Sequence, residues 1–167
     1  MTKWLLSAAL ILSAFASSAM AQTKESLVGT WRLVSYKGPN EKGEMTEWYG
    51  PNPVGFLTLT ADGRVSVIMA DPRRKLVDLY SKSTTDAELA DTFFTCFAYA
   101  GTYSFARGQL AAHIEVSSFQ IFANTDQVRS VELEGDRLTL RGGFLVNGVM
   151  HGGNSQLVWE RLKPAKP

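Results

Sequence analysis

The chain has 167 residues, a formal net charge of +1 and 20% charged residues. This even balance, without a long run of basic residues, argues against a nucleic acid or an anionic membrane surface as the main partner. The single cysteine, Cys96, excludes an internal disulfide, so the fold depends on its hydrophobic core alone, and the chain is long enough to form one.

The amino terminus predicts a secretory signal peptide over residues 1–21. A positive start at Lys3 precedes an apolar run from Trp4 to Phe15 and a small-residue cleavage site at Ala19-Met20-Ala21. The run is too short for a membrane span, and no cysteine at the cleavage site predicts a lipid anchor. Cleavage would leave one domain, residues 22–167, with 16 bases against 16 acids, in the periplasm or outside the cell.

Eight segments are rich in β-forming residues and are separated mostly by turn residues, such as Ala61-Asp62-Gly63. They span 27–37, 54–60, 64–70, 101–106, 109–117, 127–134, 136–146 and 149–162. If the first and last segments pair, the fold is all-β: an eight-stranded, antiparallel, up-and-down barrel that can hold one small ligand. An open sandwich is the alternative.

One helix is predicted between the third and fourth strands, after the irregular segment 71–83. Thr85 and Glu88 have capping-box spacing, and the helix should run to Gly101. Its apolar stripe has helical period and comprises Leu89, Ala90, Phe93, Phe94 and Phe97. Such a stripe favours a helix that covers the core over one that acts as a lid on a ligand.

The last hairpin has the strongest turn signal, Asn147-Gly148. Counting outward pairs Val146 with Val149, and Phe144 with His151. The same count sets Gly142 and Gly143 opposite Gly153 and Gly152. Facing glycines weaken the ladder, so residues 144–151 are predicted to form a tip that bends at this hinge, as a candidate flap over a barrel mouth.

Several motifs distributed over nearly the whole of residues 22–167 occur together. They are Leu-Val-Gly-Thr-Trp-Arg-Leu-Val-Ser at 27–35, Gly-Pro-Asn-Pro-Val-Gly at 50–55, Ala-Tyr-Ala-Gly-Thr-Tyr at 98–103 and Leu-Val-Trp-Glu-Arg at 157–161. Their combination resembles the bacterial and fungal lipocalin-like domain family of calycin-type barrels. The resemblance implies that Gly29 and Trp31 lie at the start of the first barrel strand and that Trp31 plugs one end of the barrel. It also implies that Arg161 lies across the indole of Trp31. It implies a fold and a pocket, but no reaction.

Side-chain alternation places Arg129 inside the barrel. Across the turn at 134–136, one face carries Arg129 together with the apolar residues Val131, Leu133, Leu138 and Leu140. An inward arginine is costly unless a carboxylate or an anionic ligand meets it. His113 and Glu115 share one face of their strand and could join Arg129. Alternatively, the core face of that strand is Leu110, Ala112 and Ile114, and His113 and Glu115 point to water.

The leading hypothesis is an exported protein that binds a small apolar or amphipathic molecule. The aromatic lining would be Trp48, Tyr49, Tyr99 and Tyr103, and the polar anchor would be Arg129, Glu115 and His113. One alternative is an enzyme, an isomerase, cyclase or hydrolase, with His113 and Glu115 as its acid/base pair. Another is a protein-binding module that uses the 38–53 loop.

No metal or cofactor is predicted. The two histidines, His113 and His151, lie on different hairpins, and no Cys or carboxylate spacing completes a ligand set. Cys96, on the predicted helix, has no base nearby in sequence and is expected to be an inert thiol.

Overall fold

The computed structural model describes residues 22–146, 149–151 and 153–163. The predicted signal peptide at 1–21, the Asn147-Gly148 turn and Gly152 lie outside the described residues. The elements, in chain order, are α1 (Lys24–Leu27), β1 (Gly29–Pro39), β2 (Met45–Glu47), β3 (Val54–Leu59), β4 (Arg64–Ala70), α2 (Asp86–Phe94), β5 (Cys96–Ala106), β6 (Gln109–Ser117), a 3-10 turn (Gln120–Phe122), β7 (Thr125–Glu134), β8 (Arg137–Val146), β9 (Val149–His151) and β10 (Gln156–Arg161).

A single antiparallel sheet closes on itself. β10 pairs with β1, where Arg161 lies opposite Trp31, and it also pairs with β8, where Leu157 lies opposite Leu140. The remaining strands follow as neighbours, so β1, β3 to β8 and β10 form a closed eight-stranded barrel. The predicted all-β barrel, with a helix between its third and fourth strands, is confirmed, and the open sandwich is wrong. The sequence did not predict α1 or β2, a short strand that pairs only with the end of β1.

One end of the barrel is shut by Trp31. Its indole is fully buried and donates a hydrogen bond from Nε1 to the Leu27 carbonyl oxygen at 3.0 Å. The Arg161 guanidinium carbon lies 3.9 Å from the centre of the indole, and the same side chain donates to the carbonyl oxygens of Val28 and Ser26. Only glycine fits at position 29, because its φ is +144° and a Cβ there would lie 2.9 Å from Arg161 Nη1. Any opening for a ligand therefore lies at the other end.

The predicted helix was too long at its carboxyl end. The capping box is present, with the Glu88 amide donating to Thr85 Oγ1 and the Glu88 carboxylate accepting from the Thr85 amide. However, α2 ends at Phe94 and β5 begins at Cys96, so Cys96 is on a strand and Gly101 does not end the helix. Phe97 fits a helical stripe with Phe93, but it also alternates with the inward Tyr99, and it is buried in the barrel. The residues from Cys96 onward pair with β4, so the strand alternation applies to Phe97 and the helical period does not.

The last hairpin pairs as predicted only near its tip. Phe144 lies opposite His151 and Val146 opposite Val149, but Arg141 lies opposite Gln156, so the register shifts by two residues between these points. The Gly142 amide donates to the Ser155 carbonyl oxygen at 3.1 Å, and the predicted pairing of Gly142 with Gly153 is wrong. The predicted strand 149–162 is accordingly divided into β9 and β10 by a turn at 153–154.

Candidate functional site: an aromatic cleft above a buried arginine

A cleft with a volume of about 120 Å³ lies away from the closed end of the barrel. Seven aromatic residues from five parts of the chain line it: Tyr36, Trp48, Tyr49, Phe97, Phe119, Phe122 and Phe144. Ser155 completes the lining. The rings contact each other edge to face or in tilted stacks, for example Phe97 and Phe144 at 5.6 Å between centroids. The site is therefore a small, preformed aromatic pocket.

The 38–53 loop folds back and brings Trp48 and Tyr49 to this cleft. β2 pairs with the end of β1, which places the Trp48 ring over Gly38, where a Cβ would lie 2.7 Å from Trp48 Cε2. Tyr36 then contacts Trp48 at 5.0 Å and Tyr49 at 5.6 Å between ring centroids. Tyr49 is buried, whereas Trp48 is 42% exposed. Half-exposed Trp48 therefore marks the boundary between cleft and solvent.

The sequence favoured a helix that covers the core, but α2 lies beside the rim of the cleft instead. None of its residues is buried, and Phe94 is 65% exposed. Phe93 and Phe94 instead contact Phe119 of the cleft, at 4.9 Å and 6.1 Å between ring centroids. The phenylalanines of the apolar stripe therefore pack at the rim of the cleft and not on the core.

Arg129 lies behind the cleft, inside the barrel. Its side chain is only 4% exposed, and its Nη1 donates to the Gly142 carbonyl oxygen at 2.7 Å and to Ser155 Oγ at 3.0 Å. The guanidinium carbon lies 5.8 Å from the centre of the Phe144 ring. Among the described residues no carboxylate pairs with it, and burial lowers the pKa of the guanidinium. Arg129 is a desolvated cation held by neutral acceptors.

Two buried tyrosines and a glutamine lie near this cation. The Tyr99 hydroxyl donates to Gln127 Oε1 at 2.7 Å, while Gln127 Nε2 is buried without a hydrogen-bond partner among the described residues. Burial raises the pKa of both Tyr36 and Tyr99 to about 12, and the charge of Arg129 acts in the opposite direction. Both phenols therefore stay neutral and keep their protons over the whole physiological pH range, with the Tyr99 proton held by Gln127.

These phenols give a prediction for alkaline pH. We expect the free energy of unfolding to fall as the pH rises from 10.0 to about 12, because the unfolded chain releases these protons near 10.0 and the native chain keeps them up to about 12. Below this window their stabilising contribution is fully present. Urea unfolding across the window should show a shallower decline for Tyr99→Phe than for the wild type, with exposed Tyr80→Phe as control. Equal slopes for Tyr99→Phe and wild type would contradict the burial of Tyr99.

The predicted cluster of His113, Glu115 and Arg129 does not form. Leu110, Ala112 and Ile114 are the buried residues of β6, so His113 and Glu115 point outward. His113 Nδ1 lies 2.9 Å from Asp126 Oδ1, and Glu115 accepts from Arg64 at 2.8 Å and 3.0 Å. Because both side chains are on the outer wall, they can supply neither an anchor nor an acid/base pair to the interior.

The predicted aromatic lining is only partly assembled. Tyr103 lies elsewhere: its hydroxyl donates to the Thr60 carbonyl oxygen at 2.9 Å and its ring lies 5.1 Å below the Lys24 ammonium. Tyr99 is interior and does not line the cleft itself. Sequence reasoning missed six of the lining residues: Tyr36, Phe97, Phe119, Phe122, Phe144 and Ser155. Only Phe144 could have been found, since it has the same parity as the inward Leu138 and Leu140.

The described residues contain no group of three or more His, Cys, Asp or Glu side chains arranged to hold a metal ion. In the same part of the chain, no helix combines the length and apolar character needed to cross a membrane.

Comparison with known proteins identifies a family. The model of the lipocalin-like domain family matches residues 28–162. No curated protein matches the chain at a significant level. Among solved structures, a lipocalin-like protein from Bacteroides uniformis is 14% identical, with a TM-score of 0.44, and the match covers 81% of this chain and 98% of that one. An uncharacterized protein from Bacteroides eggerthii is also 14% identical, with a TM-score of 0.41 and the same coverage. On the family match, the chain belongs to the lipocalin-like domain family.

Proposed function

We propose that this chain is an exported protein that binds a small, largely apolar molecule in the aromatic cleft. Export rests on the signal-peptide pattern of residues 1–21. Binding is consistent with the barrel, since closed barrels of eight strands have room for one small ligand.

The observation that carries the proposal is the composition of the cleft. Seven of its eight lining residues are aromatic, and Ser155 is the exception. Its volume of about 120 Å³ is below the ~300–1,000 Å³ of most ligand pockets. It is close to the ~150 Å³ of an engineered protein cavity that holds benzene. The ligand, or the part of it that enters, is therefore about the size of one ring.

The cleft favours binding over catalysis. Among the described residues that line it there is no Asp, Glu, His, Lys or Cys, the side chains that most often transfer protons or act as nucleophiles. His113 and Glu115, the pair on which the enzyme alternative depended, are on the outer wall. The 38–53 loop directs its aromatic residues into the cleft, which disfavours a protein-binding patch there.

Trp48 provides the test. Single-ring compounds such as benzyl alcohol, benzoate and benzylamine should change tryptophan fluorescence saturably in the wild type, because Trp48 is at the cleft whereas Trp31 and Trp159 are buried. Trp48→Phe should lose the signal while calorimetry still detects binding. Native mass spectrometry of protein from its own host should reveal a co-purifying small molecule. No fluorescence response, no heat and no bound species would overturn the proposal.

A further inference from the structure

We infer that the ligand of this cleft is a compact aromatic carboxylate whose anionic group lies over Ser155 and Tyr36, within the field of Arg129. This inference rests on the proposed function and specifies its ligand class. Three observations carry it: the unpaired charge, the surplus of donors around it, and its position behind the cleft.

The first observation is the missing counterion. A desolvated guanidinium normally has a carboxylate partner, because burial of an unpaired charge is costly. Arg129 has only neutral acceptors among the described residues. Asp71 is close enough to the cleft for its charge to raise the pKa of Tyr49. Its carboxylate is already paired, however, because Arg73 Nη2 donates to Asp71 Oδ2 at 2.6 Å. An anionic ligand would supply the counterion that Arg129 lacks among the described residues.

The second observation is an excess of hydrogen-bond donors. The Nε and Nη2 groups of Arg129 and the Tyr36 hydroxyl make no hydrogen bonds to described residues, and Gln127 Nε2, on the same strand as Arg129, is buried without a partner among those residues. Buried polar groups are nearly always hydrogen-bonded, so unpaired donors call for an acceptor. A carboxylate is an acceptor with two oxygens and about four lone-pair sites.

The third observation is connectivity. Ser155 lines the cleft and also accepts the Arg129 hydrogen bond, and Phe144 lines the cleft 5.8 Å from the guanidinium carbon. The charge is therefore one side-chain layer behind the cleft wall. Because the lining is almost entirely aromatic, the dielectric constant in the cleft is lower than in water, so that charge acts on a ligand and favours anions over neutral or cationic molecules of equal size.

The experiment compares benzoate, benzyl alcohol and benzylamine, which share one ring and differ in charge at neutral pH. Calorimetry on the wild type should give benzoate an affinity at least about tenfold above that of benzyl alcohol, with benzylamine weakest. Arg129→Gln should abolish the preference for benzoate and leave benzyl alcohol binding almost unchanged. Arg141→Gln is the matched control, since Arg141 is on the next strand, faces outward and pairs with Glu132. If Arg129→Gln does not fold, the wild-type ranking alone decides.

The outcomes are separable. Equal affinity for benzyl alcohol and benzoate overturns the carboxylate class and leaves the binding function intact. Formate that binds as well as benzoate also overturns the inference, because it reduces the site to one for a simple anion. Loss of the benzoate preference in Arg141→Gln would assign the selectivity to surface charge. If none of the three aromatic compounds binds, the inference and the proposed function fail together.

Discussion

Trp31→Ala is expected to lower the free energy of unfolding by about 3–5 kcal/mol, the usual range for removing a buried tryptophan. Trp31 is fully buried, its Nε1 bonds the Leu27 carbonyl oxygen, and Arg161 lies 3.9 Å over its ring. The substitution leaves a cavity at the closed end and removes the partner of the Arg161 guanidinium, where the first and last strands of the barrel pair. Urea unfolding measures the loss.

Two variants control this experiment. Trp31→Phe keeps a ring for Arg161 and should recover a large part of the loss. Trp48→Ala removes the same side chain from a site that is 42% exposed, so its cost should be less than half as large. A Trp31→Ala variant as stable as Trp48→Ala would contradict the assignment of Trp31 as the plug.

Arg129→Met is expected to raise the free energy of unfolding of the ligand-free protein by about 1–4 kcal/mol, the range seen when buried ionic groups are replaced by apolar side chains of similar volume. Methionine is flexible and apolar and can occupy much of the same channel without the cost of desolvating a charge. The two acceptors are not orphaned, because the Ser155 hydroxyl also donates to the Gly142 carbonyl oxygen. The result would indicate that the arginine is retained for binding at the expense of stability.

The opposite result is equally informative. If Arg129→Met unfolds at lower urea concentration than the wild type, the guanidinium is a structural link between β8 and the Ser155 turn, and the case for a ligand weakens. Unfolding of the wild type with and without benzoate completes the comparison: benzoate should stabilise the wild type more than it stabilises Arg129→Met, because the gain in stability grows with the affinity of the native state for its ligand.

Much of the fold could be predicted because it depends on patterns within hairpins. Alternation across the turn at 134–136 places Leu138, Leu140 and Arg129 on the inner face, and all three are buried. The capping box at Thr85 predicted where α2 begins, since the cap is made within one turn of helix. These features involve residues close in sequence.

The candidate site could be predicted only in part, because bulges, loops and long-range register change which residues meet. The β1 register shifts between Leu33 and Ser35, which moves Tyr36 inward against the simple alternation from Trp31. Phe119 and Phe122 come from a loop segment without periodicity, and reach the cleft only because β6 and β7 pair beside it. The orientation of His113 likewise depended on which face of β6 packs into the core, and this is the face of Leu110, Ala112 and Ile114.

By itself, the sequence determined the barrel, its closing strands and the inward position of Arg129, because alternation and turn chemistry act over a few residues. The tertiary structure alone decided that no described carboxylate reaches Arg129, that His113 and Glu115 pair with Asp126 and Arg64 on the outer wall, and that seven aromatic rings meet at one cleft. These outcomes depend on contacts between residues far apart in the chain, and local patterns do not specify such contacts.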